Sequence, residues 1–207
     1  MAATNFWDRT ADKYAASPIA DEASYQIKLG ETRRRMQRHM QVFEFGCGTG
    51  STALLHAPYV GHIRCIDSSA RMIEIAQGKA IAAGIDNVSF EQGDIANIVL
   101  KDASFDMVMA MSVLHLLDDR QDAIRTAYRV LKPNGYFVSS TACVREMIPL
   151  FGLVAPLGAR LGLMPHVDVM RSADLINSIE SAGFSIEHQW RPKRMAAHFV
   201  IARKPEN

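Results

Sequence analysis

The chain has 207 residues, with 23 lysines and arginines against 22 aspartates and glutamates, for a formal net charge of +1. Apolar residues make up 48% and charged residues 22%, the composition of a folded domain with enough core to stand without disulfide staples. The balanced charge argues against a general nucleic-acid binder, and no run approaches the ~18 apolar residues of a membrane span.

The opening segment MAATNFWDRTADKY has no apolar stretch of the kind a secretory signal needs. Three cysteines (Cys47, Cys65 and Cys143) form neither a CxxC pair nor an even framework, as expected in a reducing cytosol. The expectation is a cytoplasmic protein without stable membrane insertion, although peripheral membrane contact stays open. Residues 1–40 read as helices that cap the rest and carry a basic run from Arg33 to Arg38. That run suits a solvated helix face; a phosphate-bearing ligand or an anionic surface is the alternative.

From residue 41 onward short β-type runs alternate with helical segments. Strands are predicted at Val42–Phe45, His62–Ile66, Val88–Gln92, Phe105–Met109 and Tyr136–Ser140, each rich in apolar or β-branched residues and bounded by Gly, Asp or Ser. Helices are predicted at Ser51–Ala57, Ser69–Ala83 and Asp119–Leu131. In the second, Met72, Ile73, Ala76, Ala80 and Ile81 recur near the 3.6-residue period, Ser68 or Ser69 stands at the N-cap and Gly84 at the C-cap. Leu131–Gly135 (LKPNG) reads as a helix end and a tight turn. Residues 143–170, apolar with interspersed Pro and Gly, interrupt the rhythm like an insertion or substrate lid. A helix over Ser172–Ala182 and strands near Phe184–Trp190 and Ala196–Ala202 follow. The link Arg191–Met195 is too short for a crossover, so the last strand is expected to run antiparallel to its neighbour. The pattern predicts one α/β domain over residues 1–207, doubly wound, with a seven-stranded, mostly parallel sheet.

The densest chemical signal is Val42–Gly50 (VFEFGCGTG), where a strand ends in Gly46, Gly48 and Gly50 and leads directly into a helix. Glycines there permit positive φ and a close backbone approach, and the helix N-terminus adds free N–H donors. The dinucleotide fingerprint GxGxxG needs its third glycine where Ser51 stands. The pattern E-x-G-x-G-x-G from Glu44, followed by Asp67 at the end of the second strand, Gly93-Asp94-Ile95 after the third and FDMVMAMSVLHLL from Phe105, resembles the class I S-adenosylmethionine-dependent methyltransferases, in particular their ubiquinone/menaquinone-type branch.

That resemblance implies a Rossmann-like methyltransferase fold and S-adenosyl-L-methionine as cofactor, with S-adenosyl-L-homocysteine as product. It implies a cofactor site built from Tyr14, Glu44, Gly46, Cys47, Gly48, Thr49, Gly50, Asp67, Ser68, Met72, Gly93, Asp94, Ile95 and Met111. Within it Asp67 would face the ribose hydroxyls and Asp94 the adenine, although both carboxylates also suit helix capping. Tyr14 belongs to a segment resembling the helix that covers the cofactor; core packing is the alternative. Cys47 reads as a small filler rather than a nucleophile.

His115, after the fourth strand, is the acid–base candidate, with packing against the lid as its alternative. No metal is expected. The acceptor is expected to be a small, lipophilic molecule rather than nucleic acid, selected by the apolar stretch Met147–Met164. The competing readings are a non-catalytic S-adenosylmethionine-binding protein and a nicotinamide-dependent oxidoreductase. The oligomeric state stays open.

Overall fold

A computed structural model describes residues 2–148, 164–193 and 195–206. The chain opens with helices α1 (Ala2–Ala16) and α2 (Glu22–Arg33). It then alternates β1 (Gln41–Phe45), α3 (Ser51–His56), β2 (His62–Asp67), α4 (Ala70–Ala83), β3 (Val88–Gln92), β4 (Phe105–Met111), α5 (Arg120–Val130) and β5 (Leu131–Thr141). A short α6 (Val144–Met147), α7 (Ser172–Ser181), β6 (Ser185–Trp190) and β7 (His198–Arg203) complete it. The seven strands form one sheet in the order β3-β2-β1-β4-β5-β7-β6, in which β7 pairs antiparallel with both β5 and β6 while the pairings from β3 to β5 are parallel.

Alternation along each strand divides the core between two faces. Val42, Ile63, Met107, Met109 and Phe199 pack with Ala53 of α3 and Ile73, Ala76 and Ala80 of α4. Phe43, Phe45, Val108, Ala110 and Phe137 pack on the other face with Ala123, Ile124 and Ala127 of α5 and Leu175 and Ile179 of α7. Each fully buried Phe, Leu or Ile contributes about 1.5–3 kcal/mol, so two such layers hold the sheet rigid at its centre.

The capping signals operate as expected: Ser69, not Ser68, accepts the Met72 N–H at the start of α4, Gly84 closes it in the left-handed region, and Asp119 caps α5 through the Asp122 N–H. The LKPNG segment departs from a simple turn. Leu131 pairs with Phe105 and Tyr136 with Met107, so 132–135 bulge within β5 opposite Asp106. Asn134 takes φ +65° there and donates to the Lys204 carbonyl, and the Lys204 N–H returns a bond to Gly135, which explains why the segment reads as both turn and strand. Most of the apolar stretch Met147–Met164 lies outside the described residues. Its flank does pack on the domain: Met170 is buried, and Asp168 pairs with Arg120.

At Gly50 the chain has φ +73°, and an added Cβ would stand 2.7 Å from the Phe90 ring and 2.9 Å from the Ala76 Cβ. The third glycine of the loop is therefore a packing glycine, letting the start of α3 approach α4 and β3. Gly50→Ala should cost about 1–3 kcal/mol in urea unfolding. Gly78→Ala, in the open interior of α4, should stabilise by about 0.5–1 kcal/mol. Equal midpoints for the two variants would show that the loop relaxes around the new methyl.

Candidate cofactor and acceptor site

The C-terminal ends of parallel strands are where open α/β sheets leave a crevice, and here five such ends, β3 to β5, share one. A cavity of about 790 Å³ lies above them, roofed by α1 and the 17–20 connection. Its floor is the loop from β1 to α3, where Gly46, Gly48 and Gly50 all take positive φ (63°, 54° and 73°). At Gly46 a Cβ would come within 2.2 Å of Val113, so the loop is pressed against the segment leaving β4.

Asp67, last residue of β2, fixes this loop. Its carboxylate accepts the Gly48 N–H at 2.8 Å and the Ser69 N–H at 2.9 Å, and its backbone carbonyl accepts the Gly93 N–H at 2.9 Å. Each carboxylate oxygen keeps lone-pair capacity on the cavity side. Burial raises the Asp67 carboxyl above its usual range despite the two backbone bonds. Glu44, in mid-sheet on β1, is 1% exposed, lines the cavity, and leaves its Oε2 without a partner. Burial, reinforced by the nearby Asp67 charge, pushes its carboxyl up to about 8.

Tyr14, Gly46, Cys47, Gly48, Thr49, Ser68, Met72, Gly93, Asp94, Ile95 and Met111 line the same cavity with Glu44 and Asp67. Asp94 spends one oxygen on the Ala96 N–H at 3.0 Å, and Thr49 accepts from the Lys79 ammonium at 2.8 Å. The Cys47 thiol is eased down by its hydrogen bond with Cys65, but burial and the fields of Glu44 and Asp67 outweigh that and leave it above its ordinary value. Such a thiol makes a poor nucleophile.

Two expected residues stand apart. Gly50 lies outside the lining and acts through packing instead. His115 lies outside it too. It sits in the single 3-10 turn Leu114–Leu116, where residues three apart share a side. Val113 and Leu116 take the cavity side and Leu114 is fully buried, which leaves His115 toward the 164–170 flank, its carbonyl accepting the Asp168 N–H at 2.8 Å. Burial draws its imidazole down to about 4, so it is neutral at pH 7.

The N-terminal helices bring residues that sequence patterning did not reveal. Helix α1 is latched to the start of α4: Asp8 accepts from the Ser69 hydroxyl at 2.6 Å and from the Arg71 N–H at 3.3 Å, and Asp12 holds the Arg71 guanidinium at 2.7 Å. This places Trp7 and Tyr14 over the cavity. From α2, the Tyr25 hydroxyl meets Thr52 at 3.1 Å, and the Lys28 ammonium donates to the Ser140 hydroxyl at the end of β5 at 2.9 Å. Ser112, directly after β4, takes φ +61°, a strained setting for a residue with a side chain, and donates its N–H to the Ser140 carbonyl at 2.7 Å. None of these contacts carries a local motif; Lys28 and Ser140 are 112 positions apart.

Comparison with known proteins agrees with this geometry. Residues 36–180 match the methyltransferase-domain family. The chain is 33% identical over 135 residues to the methyltransferase YcgJ of Bacillus subtilis, covering 64% of this chain and 52% of that protein. It is 34% identical over 113 residues to a demethylmenaquinone methyltransferase of Leptospira interrogans, covering 53% and 45%. The chain thus spans about half the length of the curated relatives it matches. Among solved structures the fold is shared with YcgJ (TM-score 0.73, 20% identity, 88% of this chain and 100% of that one) and with the [4+2]-cyclase SpnF (TM-score 0.74, 22% identity, 90% and 82%). Strand order, an antiparallel β7 beside β5, and a family match over most of the sheet lead to one assignment: the chain belongs to the class I S-adenosylmethionine-dependent methyltransferases.

Proposed function

We propose that this chain moves a methyl group from S-adenosylmethionine to a small-molecule acceptor bound above the ends of β4 and β5. The observation that carries the reading is a cavity that spans the acidic ends of β1 to β3 and continues to Ser112 and Ser140. Its volume of about 790 Å³ falls in the usual range for small-ligand sites, ~300–1,000 Å³.

The residues present fit the cofactor. Glu44 offers an unpartnered buried carboxylate oxygen to a cationic amino group, and Asp67 offers free lone pairs to vicinal ribose hydroxyls. Asp94 and Ile95, with Met72 and Met111 as apolar walls, suit a purine. When bound, the cofactor supplies an already activated sulfonium methyl. The chain's own task is then to bind, orient and exclude water, with Trp7 and Tyr14 of α1 as the covering surface. A small acceptor agrees with the neutral overall charge and the acidic rim of Asp118, Asp119 and Asp122, both unfavourable to nucleic acid. The cysteines Cys47, Cys65 and Cys143, all free, suit a cytoplasmic setting.

Two alternatives are separable. A nicotinamide enzyme of the doubly wound kind expects a further parallel strand beside β5, where this sheet carries the antiparallel β7. A cofactor-binding protein without transferase turnover is the second, since SpnF, titled a cyclase, shares the fold and fold does not fix reaction. Thermal-shift measurements should therefore show protection by S-adenosylmethionine and S-adenosylhomocysteine and none by NADH. Protection without turnover on any acceptor would favour the second alternative.

Calorimetric titration of S-adenosylhomocysteine should show Asp67→Ala weaker by about 10- to 100-fold, the scale of one to two charge-assisted hydrogen bonds. His115→Ala should bind as the parent does, because His115 is outside the lining. Parental affinity in Asp67→Ala would remove the ribose assignment.

The Glu44 shift has a definite sign. Unfolded, the carboxyl ionises near 4.5; folded, near 8. Between those values the folded state binds more protons, so this group's contribution to stability falls as pH rises and levels off above 8. Urea midpoints should show Glu44→Gln gaining on the parent from pH 4.5 to 8. A cationic ligand group favours the ionised form, so cofactor binding below pH 8 should release a proton, detectable as a buffer-dependent heat. A heat independent of buffer would separate Glu44 from the cationic group.

A further inference from the structure

Charge is distributed unevenly in this cavity. The acidic side chains Glu44, Asp67 and Asp94 stand at or just beyond the ends of β1, β2 and β3, and Asp118, Asp119 and Asp122 follow β4. Among the described lining residues Lys28 is the one lysine, arginine or histidine, and it stands at the opposite end, on Ser140 of β5. From β2 to β5 there are three inter-strand steps, ~14 Å at the usual strand spacing. That distance separates Lys28 from the nucleoside groups that Asp67 and Asp94 suit.

The Lys28 ammonium forms no ion pair within the described residues. The carboxylate whose field reaches it, Asp21, caps α2 through the Ser24 N–H and lies 3.5 Å from the Lys193 ammonium. A half-buried ammonium held by one neutral hydroxyl is an incompletely satisfied cation. The geometry leaves spare donors as well. Ser140 Oγ accepts from Lys28, so its own hydrogen is free, and the ammonium keeps two more N–H groups. Ser140 is 2% exposed, and its carbonyl accepts the Ser112 N–H, which ties this end of β5 to the segment leaving β4. Two groups with spare donors thus stand 2.9 Å apart in the lining of the cavity. This arrangement matches a single ionised oxygen; a carboxylate is met better by the planar fork of an arginine. An amine acceptor arriving as ammonium would be repelled by Lys28.

We propose that Lys28 and Ser140 form the acceptor subsite of this cavity, and that its ligand is an otherwise apolar small molecule with an acidic hydroxyl, a phenol or an enol, bound as its oxyanion. This rests on the methyl-transfer reading and names its acceptor class. On binding, the hydroxyl proton leaves to water and Lys28 stays protonated. The oxygen is then a ready nucleophile, and no protein base is required, in keeping with the absence of His115 from the lining. Burial without a carboxylate partner holds the Lys28 ammonium below its ordinary value, and a bound oxyanion would reverse that.

4-Nitrophenol tests this directly, because its ionised form has its own absorbance. The full chain, titrated with the dye across pH, should lower its apparent pKa by about one unit, equivalent to about tenfold tighter binding of the oxyanion than of the neutral phenol. Lys28→Met, which keeps the length of the side chain, should abolish the shift while melting at or above the wild-type temperature. Lys28→Arg should restore part of the shift, and Ser140→Ala should reduce it. 4-Nitroanisole should bind at least about tenfold more weakly than the phenolate.

The proposal is overturned by an unshifted dye in the wild type, by an equal shift in Lys28→Met, by preference for 4-nitrobenzoate over the phenolate, or by no dye binding at millimolar concentration. S-adenosylhomocysteine binding, measured on the same samples, keeps the two readings apart. Cofactor binding with an unshifted dye removes this subsite and leaves the methyltransferase reading. A shifted dye without cofactor binding does the reverse.

Discussion

One carboxylate organises the site. Asp67 sits where β2 ends and grips the Gly48 N–H of the glycine loop and the Ser69 N–H that begins α4, while its carbonyl takes the Gly93 N–H beyond β3. Three strand ends are thereby tied at one residue. Backbone N–H groups that would otherwise point at solvent are ordered, and the positive φ values of Gly46, Gly48 and Gly50 are held against a loop with many alternatives. Without that grip the cavity floor would lose its shape even with every strand in place. The carboxylate bears a burial penalty for this role, which the two N–H donors partly offset.

The second organising feature is electrostatic. Glu44 could ionise easily on a surface, yet it stands in the middle of the sheet with an unpartnered oxygen. A buried carboxyl oxygen left open in the lining of a cavity suits a ligand better than it suits stability. Lys28 mirrors this at the far end with the opposite sign. A cavity with carboxylates over β1 to β3 and an ammonium over β5 orients whatever enters it, since a molecule with a cationic and an anionic part has one favourable direction. Asp118, Asp119 and Asp122, which follow β4, add further acidic side chains to the lining.

Helix α1 is joined to this site by polar contacts more than by core packing. Asp8 meets the N-terminus of α4, where a carboxylate is favoured by the helix dipole and the free N–H groups, and Arg71 bridges to Asp12. The Arg71–Asp12 pair is exposed and therefore worth little, so the latch rests chiefly on Asp8. The cover rests on α4 and takes no part in the sheet. Its covering side chains, Trp7 and Tyr14, are large and rigid enough to exclude water when closed.

Local chemistry made much of this legible. Short apolar or β-branched runs bounded by Gly, Asp or Ser set β1 and β2, helical periodicity with Ser69 and Gly84 set α4, and the glycine spacing placed a ligand loop at the first strand end. These features depend on residues within a few positions of one another, and linear order preserves that information. The short link before β7 was readable for the same reason, because five residues cannot carry a crossover. Tertiary structure alone decided the rest. It turned His115 toward the 164–170 flank, because a 3-10 turn spaces side chains by a third of a revolution and Val113 and Leu116 take the cavity side. It packed Gly50 against Phe90 and Ala76, and turned LKPNG into a bulge within a strand. It joined Lys28 to Ser140 across 112 residues. Spacing along a chain encodes which way a backbone turns; which side chains then share a cavity depends on the packing of elements that the sequence holds far apart.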